Sequence, residues 1–362
     1  MKKIAILKTV LVVLCDLALA GILLCIFALF HHVIPQKGDT SNAISIPKPS
    51  SGLSDFVLPE YSVQTSTPSP TVTPTITVAP ASDSYTSVTY TPTTAPTPTP
   101  TPTLTPTPTP TPIPEPTLPI QSENTYQSEN TLVNMKTIQS VSGDTIVTYH
   151  LADIYITNIE QLRSGFAHDT YGEYYTQSVL EQDKANTAIV AISGDSYGLS
   201  GAGIVLRNGI LYKYSNTKSD ICVLYYDGRM ETLSYGEYTK DSLIENGAYQ
   251  VWSFGPELLD DSGKAKTSFN TGDYIAKTHP RAAIGYYEPG HYVLVLVDGR
   301  QEDYSIGLDI EGLANLFEDL GCKAAYNLDG GISAVMTFNN KVYSHPARTR
   351  EVSDIIYIAE VQ

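Results

Sequence analysis

Three textures follow one another along the chain. From Val10 to Phe30 the positions are apolar except for Asp16. Twenty-one residues at about 1.5 Å each reach roughly 30 Å, the hydrocarbon thickness of a bilayer, so this run predicts a membrane-spanning helix. Lys2, Lys3 and Lys8 precede it and few basic residues follow closely, which predicts a cytoplasmic N-terminus. Ala18-Leu19-Ala20 resembles a cleavage site, yet the apolar run continues ten residues past it, favouring an uncleaved signal anchor. Asp16 reads as a tolerated carboxylate near one end of the span, since no partner for it is visible.

The second texture, from about Pro35 to Ile120, is dominated by Thr, Pro and Ser, with Thr and Pro nearly alternating from Thr97 to Pro112. Proline fixes φ and removes backbone donors, so neither helix nor sheet interior fits. An extended, polyproline-like stalk is predicted, a spacer with sites for O-glycosylation or a passive linker.

From Val133 the third texture begins: short apolar runs bounded by Gly, Asp and Asn. Ala188 to Ile192 reads as a buried strand followed at once by Ser193-Gly194-Asp195. His291 to Val297 reads as another, followed by Asp298-Gly299-Arg300. Asp309 is placed to cap a helix with apolar positions Ile310, Leu313, Ala314, Phe317 and Leu320 that ends at Gly321. Cys322 to Leu328 is then a short strand running into Asp329-Gly330-Gly331. If the strands flanking this helix pair in parallel, both end on the same sheet edge, where ligands of such sheets sit. Asp227-Gly228-Arg229 repeats the Asp-Gly-Arg tripeptide but reads as a hairpin turn. The chain thus divides into an anchor over 1–34, a Thr/Pro/Ser-rich disordered stalk over 35–130 and one folded domain over 131–362. The fold class expected for that domain is α/β, a mixed α+β sheet with flanking helices.

Charge narrows the function. The net charge of the chain is −16, and after residue 131 there are 17 Lys/Arg against 30 Asp/Glu. Such an acidic surface repels phosphate backbones and argues against nucleic acid as a partner. An anionic substrate would need a local basic site, which draws attention to the few arginines. Cys222 and Cys322 are the cysteines of the folded part; a disulfide and a pair of buried thiols both remain open. No CxxC or Cys/His cluster has zinc spacing.

The candidate chemistry lies at the strand ends. Asp195, Asp298 and Asp329 are candidate acids and bases, since glycoside cleavage needs a proton donor and an ionised carboxylate. The same three oxygen-rich side chains are an alternative calcium site. Gly330 and Gly331 either let backbone amides approach an anion or form a tight turn. Arg281, leading into a small-residue strand, offers a fork of donors to a phosphate, or a surface salt bridge. The 21 tyrosines after residue 131 suffice to line a sugar site, although strand and interface roles account for most of them.

Taken in order, Ala191-Ile192-Ser193-Gly194-Asp195, Ser253-Phe254-Gly255-Pro256, Pro280-Arg281-Ala282-Ala283-Ile284-Gly285, Val297-Asp298-Gly299-Arg300 and Asn327-Leu328-Asp329-Gly330-Gly331 resemble the phosphodiester glycosidase family. The resemblance covers nearly all of 133–362. It implies a mixed α/β fold and hydrolysis of a sugar-1-phosphodiester. No cofactor is expected to be required, and the calcium alternative stays open. By position it implies Asp195, Asp329, Asn327 and Asp298 as catalytic residues, and Arg281, Arg300, Gly330, Gly331 and Ser333 as binders of substrate or phosphate. Three positions depart from the family pattern: Ser193 where Asn is usual, Ala282 where Thr is usual, and Ile332 where a third glycine is common. They bear on substrate choice more than on reaction class.

The expected function is hydrolysis at the anomeric carbon of a sugar-1-phosphodiester in a wall polymer, capsule or exopolysaccharide, by a membrane-anchored extracellular domain. The alternatives are a glycan-binding module without catalysis, which would bind saturably without turnover, and a wall-polymer transferase, which would make a new linkage.

Overall fold

The computed structural model describes residues 2–32, 34–49, 56–59, 118–143, 145–200, 203–215 and 217–361. The Thr/Pro alternation lies outside the described residues. The chain separates into two units, 1–59 with 117–362, and 60–116; the described helices and sheets are those of the first.

The apolar run forms a helix, Lys2–His32, within which Leu11–Leu29 is long and apolar enough to cross a membrane, with a mean hydropathy of 2.8. The remainder is richer in sheet than the sequence suggested, and its strands pair antiparallel throughout. A seven-stranded sheet runs in the order 324–327, 281–288, 291–297, 145–156, 131–142, 125–127, 120–121. A six-stranded sheet (204–214, 221–233, 248–252 and Ile44–Ser45), a five-stranded sheet (162–166, 190–193, 336–342, Asp354–Ile358) and a two-stranded one (Gln36–Lys37 with Gly172–Glu173) complete the described sheets.

The HYVLVLV run shows why a strand can be apolar on both faces. Tyr292, Leu294 and Leu296 join the large core, whereas Val293, Val295 and Val297 join a second core beneath the helix Ile310–Asp319. That alternation is the period-2 pleat buried on both sides. The helix is capped by Asp309, whose Oδ1 accepts from the Gly312 amide at 2.7 Å, and it buries Leu313, Ala314 and Phe317 against the sheet. Burial of Phe317 alone stabilises by about 2–3 kcal/mol. A Cβ on Gly285 would lie 2.6 Å from the Phe317 ring and 2.9 Å from Cys322 Sγ, so only glycine lets the helix settle.

Two expectations change. The strands before and after this helix are not neighbours: both flank Arg281–Glu288, which runs antiparallel to each. They still point the same way, so their ends meet at one edge, with the start of a third strand between them. Secondly, the expected 35–130 stalk gives up both its ends to the domain. Gln36–Lys37 pairs with Gly172–Glu173, Ile44–Ser45 extends the six-stranded sheet, and Ile46 is 2% exposed within the large core. At the other end, Ile120–Gln121 and Thr125–Gln127 extend the seven-stranded sheet. Short apolar residues in a polar, proline-rich background, such as Ile44 and Ile46, find a partner surface that composition does not reveal.

Cys222 and Cys322 are free, buried thiols in different core clusters. Burial pushes the Cys322 thiol up to about 12 and raises that of Cys222 further. The Asp227-Gly228-Arg229 tripeptide is the turn of the hairpin between Ile221–Tyr225 and Met230–Leu233, with Gly228 at φ +82.

Candidate active site

The start of the strand Arg281–Glu288 lies between the ends of its two neighbours, and the site is built around it. Leu328 N donates to Ala282 O at 2.8 Å and Gly331 N to Pro280 O at 2.8 Å, while Asp329 N donates to Gly194 O at 3.0 Å. The last bond brings the loop after Val190–Ser193 to the same place. A Cβ on Gly330 would sit 2.6 Å from Pro280 O, and Gly331 has φ +62, so both glycines are needed for this close turn. The Gly331 amide is thereby occupied, and the turn reading of the pair prevails over an anion nest built on both amides.

The resulting cleft holds about 220 Å³. Phe254, Tyr274 and His279 form an aromatic wall, and Arg281, Arg300 and Arg350 bring positive charge. Asp329 is the one carboxylate among the described lining residues. A basic cleft in an acidic domain is what an anionic ligand requires.

Asp329 is 6% exposed and bonded to Arg350 Nη2 at 2.9 and 3.2 Å, with Arg350 Nε donating to Ser333 Oγ at 2.5 Å. Burial raises the Asp329 pKa above the ordinary carboxylate value, and Arg350 opposes that rise. Ser193, which departs from the family pattern, donates its hydroxyl to Asp329 O at 3.0 Å and so still supports this turn.

Arg281 differs from expectation. Its Nε donates to Leu308 O at 2.8 Å and its Nη2 to Ile275 O at 2.7 Å and to Lys277 O. Much of the guanidinium therefore pins the segment that carries Tyr274 and His279. Burial pushes its pKa down to about 10, which leaves it charged at neutral pH. Arg300, at φ +62, approaches His279 Nδ1 through Nη2 at 3.3 Å. His279 Nε2 bonds Tyr274 O at 2.9 Å. One neutral tautomer, protonated at Nε2, satisfies both contacts; burial followed by the nearby Arg281, Arg300 and Lys277 charges lowers the His279 pKa in agreement.

The other expected residues have their own partners. Asp195 is buried against Arg207, Oδ1 to Nη2 at 2.6 Å, and accepts from the Ser253 and Tyr197 amides at 3.1 and 3.2 Å. Arg207 is shared with Asp354 at 3.0 Å, and burial followed by the Asp195 charge raises the Asp354 pKa. Asp298 is buried with His150 Nε2 at 2.7 Å, the Tyr304 hydroxyl at 3.1 Å and the His345 amide. Asn327 Nδ2 donates to Gly255 O at 2.7 Å, and its Oδ1 is buried with no partner among the described residues. For a calcium site shared by Asp195, Asp298 and Asp329 there is no matching geometry: among the described residues no group of three or more His, Cys, Asp or Glu side chains is placed to hold a metal.

Arg350, Arg207, Asp354, Phe254 and Tyr274 were not singled out as site residues from the sequence. Arg348 and Arg350, two arginines within a few residues in an acidic domain, were the available signal for the first.

Residues 186–359 match the phosphodiester glycosidase family. The chain is 32% identical over 177 residues to the SPbeta prophage-derived uncharacterized protein YomE of Bacillus subtilis (strain 168), covering 47% of this chain and 27% of that protein. The chain thus spans about a quarter of that relative. In fold, it is similar to the catalytic domain of zebrafish N-acetylglucosamine-1-phosphodiester alpha-N-acetylglucosaminidase, auto-inhibited by pro-peptide (TM-score 0.53, 20% identity, 65% of this chain and 85% of that one). A hypothetical protein from Synechocystis is also similar (TM-score 0.50, 12% identity, 64% and 62% coverage). The matched region, 186–359, carries the motif residues that line this cleft, and it is over that region that the chain is similar to the phosphodiester glycosidase family.

Proposed function

We propose that this domain hydrolyses the bond between the anomeric carbon and the phosphate oxygen of a sugar-1-phosphodiester at the outer cell surface. The observation that carries this reading is Asp329, a buried carboxylate at a cleft otherwise charged by arginines. In this reading Arg300 and Arg350 hold the phosphate, and the wall of Phe254, Tyr274 and His279 holds the sugar. Arg281 acts chiefly by fixing that wall. Water attacks the anomeric carbon as the carbon–oxygen bond to phosphate breaks. A phosphomonoester leaves readily, so the main demand is for a base, and a carboxylate whose pKa is raised by burial is a stronger base than an ordinary one. Asp329 fills that role; Asp195, Asp298 and Asn327 support the turn and strand ends that place it.

The helix Leu11–Leu29 is proposed as a retained anchor, with the N-terminus in the cytoplasm and the domain outside. The full chain, purified in detergent, is incubated with a panel of sugar-1-phosphodiesters and followed by phosphorus NMR. Release of phosphomonoester and free sugar, lost in Asp329→Asn, is expected. Turnover by Asp329→Asn at the wild-type rate would remove Asp329 from the chemistry.

A further inference from the structure

A second cleft of about 190 Å³ adjoins the first, and the two share Arg300, Gly331 and Ile332 as a common ridge. Pro280, Ala334, Pro346 and Ala347 supply carbon surface, and no aromatic ring is among the described residues that line it. Arg348 joins Arg300 as its positive charge, and the Asp298 carboxylate, also in its lining, is already engaged by His150, Tyr304 and the His345 amide. A phosphodiester has two arms, and a phosphate held at Arg300 would direct one arm to each cleft. The aromatic lining of the first cleft suits a sugar face. In the second, the two arginines can meet the phosphate, and the proline and alanine surface beside them has no ring to stack on a sugar and suits an alkyl chain.

A separate observation concerns where the domain works. The membrane-compatible helix ends at His32 and the first strand paired with the domain begins at Gln36. Three intervening residues, even fully extended, span only about 14 Å from His32 to Gln36. The Thr/Pro segment enters the chain after this attachment, so it does not lengthen the tether. With the anchor retained, the domain is confined to the membrane surface.

We infer that the second cleft is the subsite for the alcohol half of the substrate, and that this alcohol is a lipid: the substrate class is a glycosyl-1-phospholipid. The inference rests on the hydrolytic reading above. Water supplies the new hydroxyl at the anomeric carbon, the carbon–oxygen bond to phosphate breaks, and the lipid leaves as its monophosphate. The proton from water passes through Asp329 to solvent or to the departing phosphate. Ile332 contributes to both clefts where a glycine is common in the family, so this chain adds apolar surface at the ridge itself.

The test uses the full chain in lipid nanodiscs and water-soluble diesters of one sugar-1-phosphate with methanol, hexanol or glycerol. Each buried methylene contributes a factor of about four, so two buried methylenes give kcat/KM for the hexyl diester about ten-fold or more above the methyl diester. Ile332→Gly and Ala347→Glu should each lower the hexyl-to-methyl ratio. Binding of hexyl phosphate and methyl phosphate is measured beside turnover, on the wild-type chain. Equal rates and equal binding for hexyl and methyl, or a preference for glycerol, overturn the lipid subsite. A hexyl preference in binding without hydrolysis of any diester overturns the hydrolytic reading and leaves the subsite standing. Absence of both hydrolysis and hexyl-selective binding overturns the two together.

Discussion

Two aspartate–arginine pairs lie close in the fold and differ in what surrounds them. At Asp329–Arg350 the carboxylate is nearly buried but its arginine side chain is 41% exposed, and both line the cleft. At Asp195–Arg207 both partners are 1% exposed, and a second carboxylate, Asp354, closes the arginine from the other side. Removing the arginine from this sealed cluster would leave two buried carboxylates uncompensated, so the cluster holds architecture in place. A pair with one side open can exchange its partner for a substrate anion. The same residue types at neighbouring strand ends therefore separate into scaffold and candidate chemistry by solvent access alone.

The most direct way to break this comparison is to neutralise each carboxylate. Asp329→Asn should lower kcat/KM for a sugar-1-phosphodiester about 10³-fold while leaving the melting temperature close to that of the wild type. Asp195→Asn should act the other way and destabilise the domain by about 2 kcal/mol, read by denaturant unfolding, because the new amide NH2 must face a buried donor, either the Ser253 amide or Arg207. If Asp195→Asn were as stable as wild type and inactive, the two roles would be exchanged.

A stability control lies away from both pairs. Ile46→Ala should cost about 2 kcal/mol by opening a core cavity, with kcat/KM unchanged in the remaining folded protein. A fragment that begins at Thr131 should lose more, because it lacks Ile46 and the four strands Gln36–Lys37, Ile44–Ser45, Ile120–Gln121 and Thr125–Gln127.

The smallest expected effect is the most diagnostic. Arg350→Ala should reduce kcat/KM about ten-fold and move the acid limb of the pH–rate profile to higher pH. The sign follows from Arg350 opposing the burial-driven rise in the Asp329 pKa. Without that positive charge, the carboxylate takes up its proton at a higher pH, and a base is lost when protonated. An acid limb that stayed put or moved down would disconnect Asp329 from the rate.

Much of the site was legible as residues and little of it as roles. The strand ends at Asp298 and Asp329 do meet, and the cap at Asp309 and the hairpin at Gly228 form as their local chemistry requires. Arg281 was legible as an arginine at a strand entrance. That its guanidinium is largely taken up by the carbonyls of Ile275, Lys277 and Leu308 depends on where a separate segment folds back. Asp195 likewise was legible as a strand-end carboxylate, but its enclosure by Arg207 and by Asp354, the latter near the other end of the domain, depends on the tertiary fold. Ile44 and Ile46 were hidden by composition: two apolar residues in a Pro- and Ser-containing segment carry no periodic signal, and only the sheet edge they join gives them a partner.

The sequence by itself determined the membrane-compatible helix, the buried strands, the glycine turns and the ordered set of motif residues, because each follows from short-range sterics or from hydrophobic period. Tertiary structure alone decided strand adjacency, the docking of the segment after the helix, and which carboxylate faces the cleft. Those depend on contacts between residues distant in the chain, where burial and a single opposing charge decide whether an aspartate is held fast or free to meet a substrate.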